Sequence, residues 1–171
     1  LLQIDYFKSS PTFLLLIYLI EEGGTIEKYA ADQFLSMSKA YAARRQLVLF
    51  LKSVGIKLKR NRLVGEEFSL RNTLSTVIFE AINGYYPPFA SDINVFVKKV
   101  TEFLTYFYNL RLTPTQANKL EVLTDISLIR CKNNNSIAYS FFKDPDRIFH
   151  NVEKEIRYIS NYMDVTPNAL M

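Results

Sequence analysis

The stretch QFLSMSKAYAARRQLVLFLKSVGIKLKRNRLVG, residues 33–65, decides the reading of this chain. It contains eight basic residues, Lys39, Arg44, Arg45, Lys52, Lys57, Lys59, Arg60 and Arg62, and no acidic one. Asp32 is the last acid before it and Glu66 the first after it. The chain as a whole carries only +4, so the clustering is the signal rather than the total. Unbalanced cations gathered in one segment form an electrostatic footprint for a polyanion. Ala40, Ala43, Leu47, Phe50, Leu51 and Val54 recur at helical spacing, with Ser38, Tyr41, Ala42, Arg45 and Lys52 opposite them. This predicts a helix from near Ser36 or Ser38 to Gly55. Ile56-Lys57-Leu58-Lys59 then alternates apolar with basic, Arg60-Asn61 is a turn, and Arg62-Leu63-Val64 returns as a second strand.

Upstream, Ser10-Pro11 reads as an N-cap followed by a first-turn proline. The helix it opens is expected to run to about Glu22 and to stop at Gly23-Gly24. Thr25 caps the next helix, with Lys28 where a full capping box would have Glu. Ile26, Ala30 and Phe34 mark its buried side, and Leu35-Ser36-Met37 is the turn. Three helices followed by a basic hairpin make a winged helix-turn-helix. A helix of about 10–12 Å diameter enters the major groove of a duplex, while the wing reaches phosphates or the minor groove. Ser38, Lys39, Tyr41, Arg44 and Arg45 on the helix, and Lys57, Lys59, Arg60 and Arg62 on the wing, are the expected DNA contacts. Phe34 stands where many such turns carry Gly. Ala42 and Ala43 leave mid-helix positions without hydrogen-bonding groups, so phosphate contacts are expected to supply most of the affinity. The bland alternative is the solvated face of an ordinary helical domain.

Downstream, Gly65 is expected to permit a sharp exit from the wing. Glu66 and Glu67 open a helix running to about Asn83, and Glu67 pairs with Arg71 four residues on. Further helices are expected near 92–109, 114–132 and 145–162, the last two opened by Thr113-Pro114 and Asp144-Pro145. Asn133-Asn134-Asn135 is a polar loop. Phe103, Tyr106, Phe107 and Leu110 form an aromatic stripe, read as core or as a dimer interface.

Hydrophobic content of 49% against 22% charged is that of a globular chain. Thirteen Phe and eleven Tyr with no Trp predict an aromatic core. A single cysteine, Cys131, allows no internal disulfide and fits a reducing cytosol. With one histidine, His150, neither a His/Cys zinc site nor a serine triad can be assembled, so no metal, no cofactor and no enzyme are expected. The apolar run Phe13 to Ile20 falls short of the about 20 residues a bilayer requires. The chain opens at Leu1 in an apolar segment (Leu2, Ile4, Tyr6, Phe7), and a piece of a longer protein is expected.

Several strings resemble the Mga/AtxA family of virulence and sugar-linked transcription regulators of Gram-positive bacteria. They are Lys8-Ser9-Ser10 with Phe13-Leu14-Leu15, Thr25-Ile26-Glu27-Lys28-Tyr29-Ala30, Phe34-Leu35-Ser36, and Leu63-Val64-Gly65-Glu66-Glu67 with Leu70-Arg71. The resemblance covers about residues 5–82, and the helical remainder resembles the phosphotransferase-regulated domain that follows in that family. It implies a cytoplasmic, dimeric DNA-binding regulator of a kind whose regulatory domains can take phosphate on histidine from sugar phosphotransferase proteins. Leu123-Thr124-Asp125 resembles the Leu-Thr-Asp-His stretch of such domains, but Ile126 stands where the histidine would be. His150 is then the one candidate phosphoacceptor in the chain.

The expected architecture is mainly α: a winged helix-turn-helix with a short β-hairpin over 1–65, then a helical regulatory bundle over 66–171. The leading function is transcription regulation on duplex DNA. Two alternatives stay open: a helical dimerisation module whose DNA contact is made elsewhere, and an RNA-binding antiterminator.

Overall fold

A computed structural model describes residues 9–21, 23–82, 88, 89, 91–135 and 137. The elements are α1 (Pro11–Glu21), α2 (Ile26–Asp32), α3 (Met37–Ser53), β1 (Lys57–Lys59), β2 (Arg62–Val64), α4 (Glu67–Ile82), α5 (Ser91–Phe107) and α6 (Pro114–Lys132). The helix expected near 145–162, His150 and the apolar segment 1–7 lie outside the described residues.

Helix α1 is apolar all round, so it must be buried all round. Phe13 and the whole run Leu15 to Ile20 are buried, because α3 covers one side, α6 another, and β2 packs beside it. Helix α2 starts where Thr25 accepts a hydrogen bond from the Lys28 amide. Its fully buried Tyr29 donates its hydroxyl to the Pro11 carbonyl at 2.6 Å, which ties α2 to the start of α1. Burial pushes the Tyr29 hydroxyl up to a pKa of about 12. The Tyr18 ring lies 5.4 Å from that of Tyr29. A Cβ at Gly24 would overlap the Tyr18 hydroxyl, so glycine is required there by close approach.

Phe34 is not part of the buried side of α2. Asp32 ends the helix, Gln33 caps it, and Phe34 turns into the left-handed region with φ 52°. The Phe34 amide donates to the Ala31 carbonyl and the Leu35 amide to that of Ala30. This is a Schellman ending. It rotates the Phe34 ring off the packed face and leaves it 98% exposed. The turn runs from Gln33, and Met37 already belongs to α3, whose N-cap is Ser36. At the other end of α3 the same ending recurs with Gly55 at φ 79° in the position that Phe34 fills after α2.

Ala40, Ala43, Leu47 and Leu51 hold α3 against α1 and α2. Phe50, expected in the core, is 40% exposed. It lines an apolar groove of about 640 Å³ between α1, α3 and α4, with Phe13, Leu16, Val54 and Ala81. The hairpin pairs Lys57 with Val64, Leu58 with Leu63 and Lys59 with Arg62. Arg60 and Asn61 both have positive φ, 47° and 59°. That is the backbone of a two-residue hairpin turn whose twist suits the flanking strands.

Gly65 does not use the left-handed region, and a Cβ there would rest 3.4 Å from Leu70 Cδ1, an ordinary contact. The chain leaves the wing through Glu66 instead. Its carboxylate accepts from the Phe68 and Ser69 amides and the Ser69 hydroxyl, capping α4. These bonds, led by the Ser69 hydroxyl, hold the Glu66 carboxyl below its usual range. Leu70, Leu74 and Ile78 of α4 join Val122, Ile126 and Ile129 of α6 in one buried cluster with α1, α2 and α3. Thr113 and Gln116 complete a capping box at the start of α6. The expected aromatic stripe divides: Phe103 is buried, whereas Tyr106 is 87% and Leu110 41% exposed.

Candidate nucleic-acid interface

Ser36 sets the start of α3 by accepting from the Lys39 amide, and the helix then turns its apolar residues inward. Ser38, Lys39, Tyr41, Arg45 and Lys52 are left exposed, as the spacing predicts. In the hairpin, Leu58 is half-buried and Leu63 buried, so alternation turns Lys57, Lys59 and Arg62 to solvent. Arg60 at the tip is exposed as well. None of these exposed cations forms an ion pair among the described residues. Lys59 and Arg62 are direct cross-strand partners, an arrangement of like charges that disfavours the hairpin by itself.

Arg44 differs from its neighbour Arg45. It is half-buried, and its Nε donates to Asn61 Oδ1 at 3.3 Å. Asn61 lies in the turn of the wing, so this bond joins the tip of the hairpin to the long helix. The nine sequence-predicted positions therefore divide. Eight present side chains to solvent, and Arg44 holds the two halves of the surface together.

One residue of this surface was not found from the sequence. Glu27 of α2 accepts from the Tyr41 hydroxyl at 3.2 Å. The span free of acids along the chain is thus not free of them in space. The carboxyl of Glu27 is held below its usual range, first by its own backbone amide, then by the Thr25 hydroxyl, with Tyr41 contributing less. The Thr25 cap places Glu27 in the first turn of α2, but no local signal brings that turn beside Tyr41.

Asp125, in the segment where a phosphoacceptor histidine is absent, is buried, and its Oδ1 has no hydrogen-bond partner among the described residues. Burial, with Glu121 adding to it, pushes its pKa up to about 7. Among the described residues no group of three His, Cys, Asp or Glu side chains could hold a metal ion. No helix among them is long and apolar enough to cross a membrane.

A trihelical unit with an exposed third helix and a basic hairpin beside it defines the winged helix-turn-helix class. Residues 2–75 match the family model described as the Mga helix-turn-helix domain. The matched part takes in α1 to α3, the whole wing and the first half of α4. No curated protein matches the chain.

Proposed function

We propose that the chain is part of an Mga-type transcription regulator that binds duplex DNA through α3 and the wing. What carries this reading is the hairpin: Lys57, Lys59, Arg60 and Arg62 stand exposed on six residues of strand and two of turn, with Lys59 directly opposite Arg62. A fold gains nothing by crowding like charges on so small an element. A polyanion relieves the repulsion and releases its own counterions on binding. The helix-turn-helix match over residues 2–75 supports the same ligand. Ser38, Lys39, Tyr41 and Arg45 are the residues nearest base edges, and Arg44 acts through Asn61 rather than by direct readout.

Residues 1–65 then serve as the DNA-binding part and 66–171 as a helical regulatory part resembling a phosphotransferase-regulated domain. The division is one of role, because α4 and α6 share the core of α1. The setting is the cytoplasm, and the exposed Tyr106 and Leu110 suit a homodimer contact. With Ile126 in the place of a histidine, this part acts as a scaffold and does not take phosphate. Incubation with general phosphotransferase proteins and a phosphodonor should give no labelling. Acid-labile labelling that disappears in His150→Ala would make His150 a regulatory site.

The direct test of the main reading is binding to duplex DNA and to single-stranded RNA across a salt series. Preference for duplex with a steep salt slope supports it. Preference for RNA supports an antiterminator, and binding to neither supports a helical interaction module.

A further inference from the structure

Two buried arginines, Arg130 of α6 and Arg71 of α4, meet on the partly buried Glu67. Glu67, the first residue of α4, lies three positions after Val64 of the wing. Its Oε1 accepts from Arg130 Nε at 2.7 Å and its Oε2 from Arg130 Nη2 at 2.7 Å, a forked pair. Oε1 also accepts from Arg71 Nε at 2.8 Å. The side chains of Arg130, Arg71 and Glu67 are only 6%, 8% and 13% exposed. Arg71 uses its Nη2 on the Asn135 carbonyl at 2.7 Å and on Cys131 Sγ at 3.4 Å. Just beyond α6, Asn133 Nδ2 donates to the carbonyls of Ile20 and Glu21, which closes the end of α1.

The cluster holds one carboxylate against two guanidinium groups. Apolar side chains of similar volume would stabilise the core as well, because burying ions costs solvation that their attraction only partly returns. What forked ionic bonds add is a single permitted geometry. Here that geometry fixes the residue from which the wing departs. Beyond the packing of Ile56 and Leu63 in the core, polar contacts thus hold the wing at its tip, through Arg44 on α3, and just past its base, through Arg130 of α6 on Glu67.

We infer that Arg130 is a positioning residue for DNA binding: acting through Glu67, it sets the wing against the long helix without touching DNA itself. This rests on the DNA-binding reading above. It makes duplex affinity depend on the seat of α6, the last of the described helices.

The test uses the full chain with Arg130→Lys, which keeps the charge and removes the fork, and with Glu67→Gln, which keeps the shape and removes the ion pair. Amide hydrogen exchange is followed for wing residues 57–64 and for core residues of α3 such as Leu47 and Leu51. Duplex affinity is measured across salt, alone and in a background carrying Lys57→Gln, Lys59→Gln, Arg60→Gln and Arg62→Gln. Both variants are expected to keep α3 protected, to speed wing exchange by about tenfold, and to weaken duplex binding by about tenfold with a shallower salt slope. In the wing-neutral background the drop in affinity should vanish, since there is no charged wing left to misplace. Unchanged wing exchange, or a drop in affinity that simply adds to that of the wing substitutions, would overturn the inference. If the unaltered chain binds no duplex, the DNA-binding reading fails with it, while the exchange data still decide whether Arg130 orders the wing.

Discussion

Two sets of arginines in this molecule do opposite things. Arg45, Arg60 and Arg62 stand in water without a carboxylate partner among the described residues, whereas Arg71 and Arg130 are buried and bonded to Glu67. The first set is available to a ligand and contributes little to stability. The second is unavailable to any ligand, and the fold depends on it. Residue type does not separate them. Burial does, because a guanidinium in water is solvated and a buried one needs partners from the protein.

Substitutions break this comparison in order of their expected effect. Neutralising Arg44, Arg45, Lys57, Lys59, Arg60 and Arg62 together should reduce duplex affinity by about 1,000-fold. The salt slope should flatten by roughly 0.9 for each phosphate that is no longer neutralised. The five exposed substitutions should change the unfolding free energy little, because surface substitutions rarely exceed about 0.5 kcal/mol each and the Lys59–Arg62 repulsion is relieved, whereas Arg44 adds the loss of its bond to Asn61. Titration of labelled duplex at several salt concentrations, beside denaturant unfolding, reads both. Unaltered binding would remove the basic surface from the account.

Arg130→Ala should show the reverse balance. It leaves the Glu67 carboxylate buried with Arg71 alone, and a drop of about 3–5 kcal/mol in unfolding free energy is expected. Denaturant midpoints for the two sets of variants place them on one scale. A drop no larger than that of a surface arginine would mean the cluster is open to water.

Asp125 extends the comparison to a buried acid with no cation on it. Its folded pKa, about 7, lies above that of the unfolded chain, so the folded state holds a proton that the unfolded state releases. Its contribution is fully present at low pH and is lost as pH rises from about 4 through 7. Asp125→Asn should therefore raise stability by about 2–3 kcal/mol more at pH 8 than at pH 5. Thermal melts at the two pH values check this. An equal effect at both would show that Asp125 is ionised throughout.

Arg45→Ala sharpens the surface half. If Arg45 reads a guanine with both arms, the substitution lowers discrimination between specific and random duplex by about 1–3 kcal/mol. Equal weakening on both duplexes would reassign Arg45 to a phosphate. The smallest effect is expected at Phe34. It holds a left-handed backbone that costs an ordinary residue about 1–2 kcal/mol and buries no ring in return. Phe34→Asn should raise stability by about 0.5 kcal/mol, since Asn tolerates that conformation, as Asn109 and Asn134 do where α5 and α6 end. A lower melting temperature would show that the ring has a packing partner.

The sequence by itself determined most of the described elements of this protein. Thr25, Ser36 and Thr113 announce helix starts because a side-chain oxygen answers an amide within three residues. The face of α3 and the alternation of the hairpin follow from periods of 3.6 and 2, which need no neighbour to define them. Only the tertiary structure decided which side chains meet. Glu67 and Arg71 were legible as a pair four residues apart, but Arg130 lies 63 positions from Glu67. Tyr41 lies 14 positions from Glu27, and Asn61 lies 17 from Arg44. Phe34 keeps helical spacing in the sequence but not in space, because the helix ends two residues earlier and the backbone turns left-handed. Periodicity fixes the direction of a side chain relative to its own element. What lies in that direction depends on how separate elements pack, and that is settled by the whole core at once.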